Sequence, residues 1–85
     1  VTAAQALEAV RGYAAANRYV ISAHAMTRMR QRNVTPGDVH HALCNARTCR
    51  AVEDDKWRVT GPDRDGDDLD LVVAIEDGVV VVTVF

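Results

Sequence analysis

Aromatic residues are scarce in this sequence: Tyr13, Tyr19, Trp57 and Phe85 are the whole set. A surface that binds nucleic acid by stacking successive bases on rings therefore has little to build on. Cysteine is as sparse. Cys44 and Cys49 are too few for a disulfide scaffold, so a reducing cytoplasm is the expected compartment. No apolar run approaches the roughly 18 residues needed to cross a bilayer, so no membrane partner is expected. The first residues lack the charged-then-apolar pattern of a signal peptide, and the initiator Met is missing, as expected of a trimmed or excised chain. No internal repeat, low-complexity segment or linker interrupts the sequence.

What is present is globular material. At 48% hydrophobic the chain is too apolar to be disordered, and 85 residues allow a single domain with one core. Charge is distributed unevenly. Residues 1–50 carry seven arginines against Glu8 and Asp38, a net of +5, whereas the remainder sets Lys56, Arg58 and Arg64 against ten carboxylates, a net of −7. A basic face of this kind attracts phosphate or acidic protein even though the global charge is −2.

Ala3, Leu7, Val10 and Ala14 recur at helical spacing and predict an amphipathic first helix up to Asn17. "RYVIS" reads as a short extended link ending at Ser22, the N-cap of a second helix from about Ala23 to Arg32, with Ala25, Met26 and Met29 on one side. Thr35 as N-cap, Pro36 at the first position and Asp38 at the third open a third helix, with Val39, Ala42 and Leu43 as its buried stripe and Asn45 at its end. The period then becomes alternating. "RTCRAVED" and "KWRVTG" predict two strands, "PDRDGDD" a polar loop, and "LDLVVAIE" and "VVVVTVF" two more strands joined at Asp77-Gly78. A tight turn there pairs Glu76 with Val79. Leu71, Val73 and Ile75 then share the core face with Val80, Val82 and Val84. The opposite face, with Val72, Ala74, Val81, Thr83 and Phe85, is too apolar to stand idle in solvent. The expected architecture is α+β: three N-terminal helices packed on a four-stranded antiparallel sheet.

One stretch, "SAHAMTRMRQR", concentrates chemistry. His24, Arg28 and Arg32 lie four apart, so on a helix they form a row drifting by about 40° per step, at the border of the apolar arc. Guanidinium forks match phosphate, and a histidine can take or give a proton near neutral pH. Together they suffice for metal-independent RNA cleavage. The plainer alternative pairs the arginines with carboxylates such as Asp38 or Glu53. Arg47, Arg50, Lys56 and Arg58 add a basic strip if the first two strands pair. His40 and Cys44, an i, i+4 pair, are short of a full zinc ligand set, and "DRDGDD" has its glycine misplaced for a calcium loop.

The stretch "HAMTRMRQRNVTPGDVHHAL" resembles the HAxxRMxxRxI/VxxxDVxxAL signature of a bacterial domain-of-unknown-function family, itself similar to the RelE/ParE and BrnT type toxins. The resemblance covers roughly residues 20–85 and leaves 1–18 as a helical extension of a toxin-like domain spanning residues 1–85. It implies a RelE/BrnT-like fold and a metal-independent endoribonuclease without cofactor. His24, Arg28 and Arg32 match the motif as catalytic residues; Arg50, Lys56 and Arg58 are substrate-binding by location. RNA, including ribosome-bound mRNA, and a cognate antitoxin or immunity protein are the implied partners, with a homodimer as a further assembly. The chain departs from such toxins in its acidic C-terminal part. A different function class is a non-catalytic interaction module that binds a protein partner through the basic helix edge and the apolar sheet face.

Overall fold

Side-chain caps set the three helices. In the computed structural model, which describes residues 1–85, Thr2 opens helix α1 (Ala3–Ala15) by a reciprocal pair of bonds with Gln5. Ser22 opens α2 (Ala23–Arg32) by accepting from the Ala25 amide, and Asn33, left-handed at φ 55°, closes it. Thr35 and Asp38 cap α3 (Pro36–Cys44) in the expected reciprocal way, with Pro36 at its first position. Asp38 also accepts from the Arg64 amide, which ties the β-loop beyond to the start of this helix.

The strands are β1 (Tyr19–Ile21), β2 (Thr48–Val52), β3 (Lys56–Pro62), β4 (Asp68–Glu76) and β5 (Gly78–Val84). They form one sheet in the order β1-β5-β4-β3-β2. From β2 to β5 it is the expected antiparallel meander. The "RYVIS" link, however, is a strand. It runs parallel to β5, with Tyr19 opposite Val79 and Ile21 opposite Val81. The architecture is therefore α+β with a mixed five-stranded sheet, in place of four antiparallel strands. The physical reason lies in β5, whose outer backbone groups would otherwise be an unpaired edge under an apolar strand.

The β4–β5 register also departs from expectation. Glu76 pairs with Gly78, so Asp77 alone makes the turn. Gly78 permits it: φ is +123°, and a Cβ there would lie 2.9 Å from the Arg18 carbonyl oxygen. Ile75 and Val73 then face Val79 and Val81, and a bulge leaves Val82 unpartnered and brings Val84 opposite Leu71. Val79, Val81 and Val84 supply the core, where Val80, Val82 and Val84 were expected.

All three helices cover that one face. Val10 and Ala14 of α1, Ala25 and Met29 of α2, and Val39, Ala42 and Leu43 of α3 join Val59, Leu71, Val73 and Val81 in a single cluster. Met26, expected beside Met29, is exposed instead. α3 approaches β3 so closely that a Cβ on Gly61 would fall 2.9 Å from the Ala42 carbonyl carbon and closer still to its oxygen. The Arg11 guanidinium fastens α1 to the Ala46 carbonyl at the start of the sheet. The other sheet face carries no helix. Its apolar members are Val20, Val72, Ala74 and Val80, with Val20 61% exposed.

Candidate functional site

Since β1 stops at Ile21, no strand flanks the outer edge of β5 beyond Val81. α2 takes over there with its side chains. The Ser22 hydroxyl, while accepting from Ala25, donates to the Val82 carbonyl at 3.0 Å, and Nε of Arg28 donates to the Val84 carbonyl at 3.3 Å. Arg28 is thus half-buried and held through Nε, with both terminal nitrogens unengaged. His24 and Arg32, one turn to either side, are exposed and make no hydrogen bond or ion pair. The ion pairs of the molecule use Arg18, Arg47 and Arg58. Neither Asp38 nor Glu53 meets the row, so its positive charge is undiminished. Arg28 and Arg32 repel at i, i+4 spacing, and no carboxylate offsets the cost.

On the helix-free face Arg50 of β2 stands directly opposite Arg58 of β3, and Lys56 lies two rungs away opposite Val52. Like charges facing each other weaken a sheet. A single carboxylate relieves them. Asp70 accepts from the Thr60 hydroxyl at 2.5 Å and from Nη2 of Arg58 at 2.7 Å. The Arg58 guanidinium also lies 4.6 Å from the centre of the Phe85 ring, a cation–π contact, while the Phe85 amide bonds to the Asp70 carbonyl. Val84 and Phe85 therefore join the two groups of cations: Arg28 holds the carbonyl of one, and Arg58 covers the ring of the other. Arg50 and Lys56 have no ion-pair partner, and Arg47 instead bridges to Asp68.

The Thr60 hydroxyl, followed by Arg58, holds the Asp70 carboxyl below its usual range. A carboxyl depressed in the folded state adds stability that is complete above its unfolded value of about 3.9 and is lost as pH falls through the folded value. Urea midpoints of the wild type should accordingly fall as pH drops from about 5 towards 2, and Asp70→Asn should flatten that fall while lowering the midpoint at neutral pH. Parallel wild-type and mutant curves would mean that the clamp contributes nothing.

Sequence reasoning placed Phe85 on the face away from the core but gave Asp70, Thr60 and Phe85 no part in a site, because which cross-strand neighbours meet depends on register. It also missed a hydrogen-bonded line on the helix side, where the Tyr19 hydroxyl lies 2.9 Å from Nδ1 of His40 and Nε2 of His40 lies 3.5 Å from the Cys44 sulfur. The His40/Cys44 spacing was its only visible signal. For zinc this pair finds no third ligand, since no group of three His, Cys, Asp or Glu side chains is placed to hold a metal. The "DRDGDD" loop is a polar turn in which Asp63 accepts from the amides of Asp65 and Asp67.

Residues 21–85 match the model of the family described as Domain of unknown function (DUF4258). The chain belongs to that family. No curated protein and no solved structure matches it. The DUF4258 region contains the His24–Arg28–Arg32 row, the strand cations and all of the meander, whereas α1 and the first two residues of β1 precede it. Even so, α1 gives Val10 and Ala14 to the core, so in this DUF4258 chain the helical extension is part of the packed structure. No helix is long and apolar enough to cross a membrane.

Proposed function

We propose that this DUF4258 chain is a toxin-like, metal-independent endoribonuclease with a RelE/BrnT-like fold, acting in the cytoplasm and neutralised by a cognate antitoxin or immunity protein. The observation that carries the reading is the unneutralised row on α2. Twelve carboxylates are available in the chain, yet none pairs with Arg28 or Arg32, and Arg28 is anchored by Nε with both terminal nitrogens left to a ligand. A row that repels itself and is left unpaired suits a phosphate backbone.

In this reading His24 takes the proton of the ribose 2′-OH as its oxygen attacks phosphorus. The 5′-oxygen leaves and receives the proton, giving a 2′,3′-cyclic phosphate and a 5′-hydroxyl end. Arg28 and Arg32 stabilise the charge that builds on the phosphorane. Arg50, Lys56 and Arg58 track the RNA strand, with Arg58 weakened in that task by its bond to Asp70. Purified protein incubated with single-stranded RNA in excess EDTA should cleave it and leave cyclic phosphate ends. Intact RNA at high protein excess, with no growth arrest on induction in bacteria, sinks the proposal.

A second reading has its own observation in favour. Val20, Ala74 and Val80 line an uncovered sheet face beside Phe85, which is 41% exposed. A non-catalytic module would use that strip and the basic helix edge to hold a protein partner. Intact RNA together with a folded, inert chain is the result that favours it.

A further inference from the structure

Tyr19, His40 and Cys44 come from β1 and α3 and are all half-buried. Their polar groups are satisfied by one another alone: hydroxyl to Nδ1 at 2.9 Å, and Nε2 to sulfur at 3.5 Å. A nucleophile within hydrogen-bond reach of a base, with a third group orienting that base, is the arrangement that activates thiols and hydroxyls. Cys49, on β2, is also half-buried but has no hydrogen-bonding partner. Burial pushes both thiols up from their ordinary value. Both therefore remain protonated at neutral pH, and what separates them is the base beside Cys44.

We propose that Cys44 is a modification site: a thiol that His40 activates, as general base, for exchange with low-molecular-weight disulfides, with Tyr19 as the positioning residue. The reactive tautomer has its proton on Nδ1, which donates to the Tyr19 oxygen and leaves the Nε2 lone pair facing the S–H. In the exchange the thiol proton passes to Nε2 and the sulfur electron pair forms a bond to one sulfur of the disulfide. The old S–S bond breaks, and the departing thiolate takes the proton back from the imidazolium. Cys44 is thereby oxidised to a mixed disulfide, and half of the incoming disulfide is reduced to thiol. Burial holds back both thiols alike, and only Cys44 has a base within reach to take its proton during attack.

Modification would remove the Cys44 bond to Nε2 of His40, the residue whose Nδ1 makes the polar tie between α3 and β1.

The full chain is incubated at neutral pH with 2-hydroxyethyl disulfide, a neutral probe, and the rates at Cys44 and Cys49 are followed separately by peptide mass spectrometry. His40→Gln should slow Cys44 by about tenfold or more, at the lower end of general-base effects, and leave Cys49 unchanged. The wild-type rate at Cys44 should rise by clearly less than tenfold per pH unit, because His40 removes the proton during the attack itself. In His40→Gln it should climb about tenfold per pH unit, as thiolate alone accumulates. An unchanged Cys44 rate and profile in His40→Gln overturns the proposal. Should Cys49 accelerate in that variant, the fold has opened, and Tyr19→Phe decides: a Cys44 rate lowered about threefold supports the relay, and an unchanged one overturns it.

Discussion

Gly61→Ala is expected to destabilise the fold by about 3 kcal/mol, at the upper end of what overpacking costs. The added Cβ would meet the backbone of Ala42, at 2.9 Å from its carbonyl carbon, and backbone cannot rotate out of the way as a side chain can. α3 would have to lift from β3, which opens contacts of Leu43 and Val59 at the centre of the core. For a domain of this size the loss corresponds to a fall in Tm on the order of 15 °C. Gly12→Ala is the matched control. Gly12 lies within α1 with nothing in reach of a Cβ, so the substitution should stabilise by up to about 1 kcal/mol through helix propensity. Thermal or urea unfolding followed by circular dichroism measures both. A Gly61→Ala midpoint within about 0.5 kcal/mol of wild type would contradict the close approach of α3 to the sheet.

The other large effect is on activity. If the proposed chemistry holds, His24→Ala should lower the rate of RNA cleavage by about 100-fold or more, since a positioned acid or base contributes at least that much. His24 is exposed and bonded to nothing, so its removal should leave the unfolding midpoint unchanged. Arg28→Ala should behave differently. It removes both the proposed phosphate contact and the bond to the Val84 carbonyl, so it should cost about 1 kcal/mol of stability in addition to activity. Arg28→Lys should retain part of the charge without the Nε anchor, and so recover neither fully. RNA cleavage by the His24→Ala protein at the wild-type rate would remove the histidine from the mechanism, whatever the arginines do.

The helices were legible because their signals are local. Thr35, Pro36 and Asp38 mark a helix start within four residues, and the structure uses them as predicted. The meander was legible from alternation. β1 was not, because three residues have no period and the strand exists only through β5, far along the chain. The register of β5 was hidden for a related reason. A run of valines fits either face equally well, and the decision falls to Gly78, whose positive φ shortens the turn, and to the bulge at Val82. At the candidate site, the His24–Arg28–Arg32 spacing was plain, and so was the set of strand cations. That Arg58 is held by Asp70 and Phe85, and that Arg28 serves β5, depends on which rungs meet.

The parallel pairing of β1 with β5 also sets an order of events. It closes a loop of roughly 60 residues, the kind of distant contact that slows folding because the chain must be confined before the contact repays it. The hairpins β2–β3, β3–β4 and β4–β5 join neighbours and can form first. On a ribosome, α1, β1 and α2 emerge before the strand against which they pack, and must wait for Val79–Val84 to arrive. During that interval the basic helix is exposed without its anchor at Val84, so the last of the five strands to be made is the one that assembles β1 and α2.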